Sequence, residues 1–168
     1  MRYVTVVGNQ RSGKTSLCLR FSGQTTSDSY AATIITEHMM IEGLYFHDTP
    51  GLYLHRVELY YGSTDVFLLV VDKDLALDPW HARISPVIPT ANWFMICNTA
   101  GPFPKREAWA RALDIPFLYA NIRTGNGVPE AFSALRSLAM THPARIPRTD
   151  LSAPYSLQGA VYHWMSCT

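Results

Sequence analysis

A three-layer α/β fold, with about six mostly parallel strands covered by helices on both faces, is the architecture this 168-residue sequence predicts. Three observations point to it. Short β-branched runs alternate with stretches of helical periodicity, the pattern of strands joined by crossover helices. The run Val66-Phe67-Leu68-Leu69-Val70-Val71 is continuously apolar, as a central strand buried on both faces must be. Finally, the apolar run Tyr3 to Val7 passes directly into a glycine-bounded octet and then a helix, placing a turn at a strand's carboxyl end, where open α/β sheets bind ligands.

Composition narrows the class. Hydrophobic residues at 48% and charged residues at 16% describe a globular chain of one-domain length that can bury a core unaided. A formal charge of +1 gives no bulk electrostatic reason to expect nucleic acid as partner. No run of about 18 apolar residues is present, so no spanning helix is expected. Cys18, Cys97 and Cys167 are widely spaced and form no C-x-x-C, which argues against a disulfide framework or a zinc site and suits a cytoplasmic setting.

The elements follow in order. After the octet, Ser16 to Phe21 continues as a helix with Leu17 and Phe21 on one face. Ser22 to Asp28 is a polar loop. Thr36 to Ile41 and Leu44 to Phe46, separated by Glu42-Gly43, read as a hairpin. Leu52 to Tyr61 reads as a helix. Leu75 to Thr90 is broken by Pro79, Pro86 and Pro89, leaving room for a short helix at Trp80 to Ile84. Trp93 to Cys97 is a further buried strand, and Lys105 to Leu113 a helix with Ala108, Trp109, Ala112 and Leu113 at helical spacing. Ile115 to Tyr119 is a strand, and Pro129 to Met140 a helix presenting Phe132, Leu135, Leu138 and Ala139. Residues 1–141 form the expected domain, and the Pro-rich, aromatic stretch 142–168 a tail packed on it or extending from it.

Gly8-Asn9-Gln10-Arg11-Ser12-Gly13-Lys14-Thr15 fits G-x-x-x-x-G-K-[ST], the pattern of a phosphate-binding loop. The glycines let successive backbone N–H groups turn inward as an anion nest. The following helix adds its positive N-terminal end. Lys14 can reach the β- and γ-phosphates, and the Thr15 hydroxyl can face Mg²⁺. A second motif, Asp48-Thr49-Pro50-Gly51, ends the hairpin's second strand. Its carboxylate can hold Mg²⁺ through water, and Gly51 can offer a backbone N–H to a γ-phosphate.

With these residues the chain, from Met1 to about Met140, resembles the small GTPases of the Ras-like, translation-factor-related P-loop class. The octet and the Asp-Thr-Pro-Gly look like the bacterial Era and FeoB type. Pro116 to Phe132 looks more like a Rab protein over the last strand, the base-contacting loop and the final helix. The resemblance implies a P-loop NTPase sandwich that takes GTP or GDP with Mg²⁺. It implies that Gly8, Gln10, Arg11, Ser12, Gly13, Lys14, Thr15 and Ser16 surround the phosphates and that Gly51 senses the third one. Asn98, Asn121, Ile122 and Arg123 would surround the base. Thr15 and Asp48 would hold the metal, joined by a switch threonine. Thr33 is preferred because Thr33-Ile34 resembles the family's Thr-Ile, with Thr25, Thr26 and Thr36 as alternatives.

Three departures bear on chemistry. Leu52 stands where the Ras and Rab branch places the glutamine that orients water, so hydrolysis is expected to be slow without help; His55 and Arg56 lie close by in sequence. An arginine supplied in trans contributes ~10³–10⁵ in rate. Asn98-Thr99-Ala100-Gly101 replaces the family's Asn-Lys-x-Asp, and Gly101 has no acceptor for guanine N1 and N2. Asn121-Ile122-Arg123 replaces Ser-Ala-Lys, where the Ile122 N–H is still expected to donate to guanine O6. His38 and His47 sit on opposite strands of the hairpin without a third ligand at metal spacing. Glu37 and Glu42 read as solvated charges. The implied function is a nucleotide-dependent molecular switch with slow GTP hydrolysis, meeting effector or regulatory proteins through its switch segments. The alternative is a pseudo-GTPase serving as an interaction scaffold with weak or no nucleotide binding.

Overall fold

The computed structural model of the chain describes residues 1–26, 33–51, 59–60, 62–72, 80, 82, 92–99 and 101–141. Among the described residues nine elements run in order: β1 (Arg2–Val7), α1 (Lys14–Phe21), β2 (Glu37–Ile41), β3 (Leu44–Asp48), β4 (Val66–Val71), β5 (Trp93–Asn98), α2 (Pro104–Ala112), β6 (Phe117–Ala120) and α3 (Val128–Thr141). The strands form one six-stranded sheet in the order β2-β3-β1-β4-β5-β6. All neighbours pair in parallel except β2 with β3, which are antiparallel.

The expected alternation therefore closes into a mostly parallel sheet. In β4 every residue is buried, as its unbroken apolar run requires. Its alternate side chains serve two cores. Val66, Leu68 and Val70 face Val4, Val6, Leu17, Phe21, Phe46 and Ile96, with α1 and α3 covering that side. Phe67, Leu69 and Val71 face Val7, Trp80, Trp93, Met95 and Ala110, with α2 on the other. Helices thus cover both faces of the sheet.

The hairpin turns at Glu42 and Gly43, both at positive φ (45° and 83°), the backbone of a two-residue turn whose twist matches the strands it joins. At β2, an edge strand, Glu37, His38 and Met40 are exposed, charge and imidazole blunting the unpaired edge. The start of β4 is fixed to β1 by Asp65. Its carboxylate accepts from the Tyr3 N–H at 2.8 Å and meets Arg2 at 3.6 Å.

Two expectations change. On α2 the buried position is Ala110, with Trp109 and Leu113 packed beside it, while Ala108 and Ala112 face outward. A stripe of 109, 110 and 113 lets the large Trp and Leu flank a small residue, so the helix can approach the sheet. The last strand starts at Phe117 rather than Ile115, because Asp114 takes a left-handed φ of 54° and Pro116 has no N–H to give. Residues 52–58 and 61 of the expected Leu52 to Tyr61 helix, most of Leu75 to Thr90, and the tail 142–168 lie outside the described residues. Among the described residues no helix is long and apolar enough to cross a membrane.

Candidate functional site

In this sheet β1 has β3 on one side and β4 on the other, and the chain leaves β1 and β4 towards opposite edges. The carboxyl ends of β1 and β4 therefore flank a crevice of the kind in which open α/β sheets bind ligands. Residues 8–13 lie there.

Local physics shapes this loop. Gly8 sits at φ 144°, and a Cβ on it would come within 2.2 Å of the Val70 carbonyl oxygen, so the loop can leave β1 only with glycine here. Arg11 at φ 64° and Gly13 at φ 96° reverse the backbone twice more. Alternation of this kind turns successive N–H groups inward. α1 then begins at Lys14 without a capping side-chain hydrogen bond and with no acidic residue in its first turn. Its N-terminal N–H groups and positive dipole end are left for an anion.

Lys14 is buried, and its Nζ donates to the Asn9 carbonyl at 3.0 Å. Burial lowers its pKa from the ordinary lysine value, and Asp48 partly restores it. Gly51 lies against the loop: a Cβ there would stand 2.5 Å from the Gln10 nitrogen. Loop and Asp-Thr-Pro-Gly turn are thus in contact, as the two motifs require. Gln10 and Ser16 are half-buried, Arg11 is exposed, and the buried Ser12 Oγ has no hydrogen-bond partner.

Thr15 is the hub of an oxygen cluster. Its Oγ1 donates to Asp48 Oδ2 at 2.5 Å and lies 2.8 Å from Thr33 Oγ1. Of the four threonines weighed, Thr33 is thus the one bonded to Thr15. Asp48 is fully buried, placed by its register opposite Val6 and by Thr49, whose Oγ1 donates to the Val6 carbonyl at 2.6 Å. Burial raises the Asp48 carboxyl from 3.8 to about 6, against the lowering effects of Thr15 and Lys14. Its Oδ1 is buried without a partner. One carboxylate with an orphaned oxygen and two hydroxyls is a hard, all-oxygen donor set, which fits Mg²⁺ completed by water and phosphate oxygens. Among the described residues no group of three His, Cys, Asp or Glu forms a different metal site.

Asn98 and Ile122, expected around a base, are brought together too. Asn98 Nδ2 donates to the Ser12 carbonyl at 3.1 Å, and Asn98 Oδ1 accepts from the Ile122 N–H at 3.2 Å. The Ile122 N–H thus has a partner within the protein, and its buried side chain packs towards Gly13. Asn121 closes its own turn, its Oδ1 accepting from the Thr124 N–H at 3.0 Å, and Arg123 is exposed. Leu52 lies outside the described residues.

Two residues escape sequence reasoning. Trp80 is buried and donates from Nε1 to Asn9 Oδ1 at 2.7 Å, bracing the loop from the opposite core. Arg20, on α1, donates to the carbonyls of Ile122 and Arg123 at 3.1 and 2.7 Å. His38 and His47 pair through their Nδ1 atoms at 3.0 Å. Burial and the neighbouring His38 hold His47 down to about 4, so the buried ring is neutral at pH 7.

No family model and no curated protein sequence matches the chain.

Proposed function

We propose that this chain is a divergent small GTP-binding protein: a nucleotide-dependent switch of the P-loop GTPase type, with slow intrinsic hydrolysis. The observation that carries the reading is Thr15, whose hydroxyl meets both Asp48 and Thr33 at the foot of an uncapped helix beside a buried lysine. These groups come from three separate segments and have one shared use. The strand order, with the loop at the β1–β4 crevice, supports the same reading.

In that reading the N–H groups of residues 10–16 and the Lys14 ammonium grip the phosphates, with Thr15, Asp48 and Thr33 as the residues that would hold Mg²⁺. A bound Mg²⁺ supplies neutralisation of phosphate charge. Thr33 and Gly51 lie on different connections, both adjoining the loop. Each would be drawn in by a third phosphate and released after its loss, the order–disorder switching that exposes or hides a partner surface. Water attack in line with the departing diphosphate would be stabilised by Lys14 and the loop amides. Leu52 cannot hydrogen-bond a water, so turnover should be slow unless a partner contributes a polar group.

The test is direct. Nucleotide released from the purified, denatured protein is identified by chromatography, and phosphate release is followed in a single turnover with and without Mg²⁺. Bound GDP or GTP with slow, Mg²⁺-dependent release supports the proposal. A second reading, a pseudo-GTPase scaffold, is favoured by Asn98, whose amide groups are engaged with Ser12 and Ile122. Protein free of nucleotide, and unable to take any up at millimolar concentration, would favour it.

A further inference from the structure

We infer that Trp80 is a positioning residue of the phosphate site: acting through Asn9, it fixes the peptide unit against which Lys14 and Gly51 both lie, and so tilts the site towards a triphosphate over a diphosphate. Trp80 lies in the core and acts at one remove from the ligand, and its role rests on the nucleotide-binding reading above.

Contacts converge at Asn9. Its carbonyl accepts from the Lys14 Nζ at 3.0 Å and from the Ser12 N–H at 3.2 Å. Gly51 packs on the same peptide unit: a Cβ on Gly51 would stand 2.7 Å from the Asn9 carbonyl carbon and 2.5 Å from the Gln10 nitrogen. That peptide is planar, so the direction of the Asn9 carbonyl also sets that of the Gln10 N–H, which points the opposite way. A small tilt of this one plane therefore moves a lysine, a loop amide and the seat of Gly51 together.

The residue before Asn9 is Gly8, which has no side chain to stiffen the chain's entry into this peptide. The hold comes from across the sheet. Trp80 is 1% exposed, sits in the core that contains Val7, Phe67 and Trp93, and donates from Nε1 to Asn9 Oδ1 at 2.7 Å. A buried indole N–H needs an acceptor, because burial has cost it its hydration. The core thus specifies where Asn9 sits, and the indole is satisfied only when the loop is in place.

The consequence falls unevenly on the ligand. The first two phosphates draw on the loop N–H groups and on the start of α1, whose geometry is maintained by its own helix. A third phosphate draws in addition on Gly51 and on the reach of the Lys14 ammonium, the two groups seated at the Asn9 peptide. Loosening that peptide weakens the hold on a triphosphate more than the hold on a diphosphate. A general loss of stability weakens both alike.

The experiment measures dissociation constants of GDP and of a non-hydrolysable GTP analogue, each with Mg²⁺, by titration calorimetry. The proteins are the parent, Trp80→Phe, Asn9→Ala, the double variant, and Trp93→Phe, the same exchange in the same core but at the amino end of β5. Urea unfolding and circular dichroism report the stability and folding of each. Trp80→Phe and Asn9→Ala should each lower the preference for the triphosphate by roughly three- to tenfold, the worth of one hydrogen bond, and the double variant should go no further. Trp93→Phe should lose stability and keep the parent's ratio. If Trp80→Phe does not fold, Asn9→Ala removes the same bond from the loop side and carries the test. An unchanged ratio in a folded variant lacking the bond, additive shifts in the double variant, or an equal shift in Trp93→Phe overturns the inference and leaves the nucleotide reading standing. Binding of neither nucleotide to the parent removes the nucleotide reading itself, and the inference with it.

Discussion

Asp48→Asn separates what this carboxylate does for the empty fold from what it does for a ligand. Burial holds the carboxyl near 6 against an ordinary 3.8. At about 1.4 kcal/mol per pH unit, the ionised form destabilises the empty protein at neutral pH by about 3 kcal/mol. The sign follows from proton binding. The native carboxyl takes its proton more readily than the unfolded one, so this contribution is most favourable below 3.8 and is lost as pH rises through 6. Asparagine carries no charge at any pH and keeps an acceptor for the Thr15 hydroxyl. The variant should therefore be more stable than the parent at pH 7 by up to about 3 kcal/mol, less about 1 for the weaker hydrogen bond. That advantage should shrink towards zero near pH 4. His47 contributes with the opposite sign: its neutral ring favours the fold above about 6.5, and this is lost as pH falls through 4. It is common to both proteins, so the difference between them isolates Asp48. The assay is urea unfolding in the presence of a chelator and without nucleotide, from pH 4 to 8. An Asp48→Asn protein less stable than the parent at pH 7, or a difference independent of pH, would refute the reasoning.

Other perturbations follow from the same geometry. Thr15→Val removes the hydroxyl that joins Asp48 and Thr33, and should lower stability by about 1–2 kcal/mol in urea unfolding while abolishing Mg²⁺-dependent nucleotide binding. Gly8→Ala places a methyl group 2.2 Å from the Val70 carbonyl oxygen at a φ of 144°, so a loss of roughly 2 kcal/mol or more is expected from thermal unfolding. Trp80→Phe keeps most of the buried ring but deletes the bond to Asn9. It should cost about 1–2 kcal/mol of stability and loosen the loop, read as faster amide exchange at Asn9 and Gln10.

Much of this was legible in the sequence where the signal is local. β4 reads directly, because a strand covered on both faces leaves no room for a polar residue. The α1 start and the loop follow from an octet whose glycines answer to particular backbone angles. Thr15 and Asp48 follow from two short motifs and Thr33 from the resemblance of Thr33-Ile34 to a family's Thr-Ile, and the Thr15 hydroxyl meets both of the others. What stayed hidden is long-range and non-periodic. Arg20 meets Ile122 across 102 positions, and Trp80 reaches Asn9 from a proline-interrupted stretch with no readable period. The two bonds from the Asn98 amide, to the Ser12 carbonyl and from the Ile122 N–H, are likewise between distant segments that no local pattern joins. The α2 face was misread because alanines mark a buried stripe and an exposed one equally well.

The central claim is that main-chain amides, the Lys14 ammonium and the Thr15–Asp48–Thr33 oxygens act together on one triphosphate. Equilibrium dialysis with GTP tests it most directly, using the parent with Mg²⁺, the parent with a chelator, and Lys14→Ala with Mg²⁺. The account predicts saturable binding by the parent that weakens at least tenfold in each of the other two arms. Equal binding in all three, or none in the first, would contradict it.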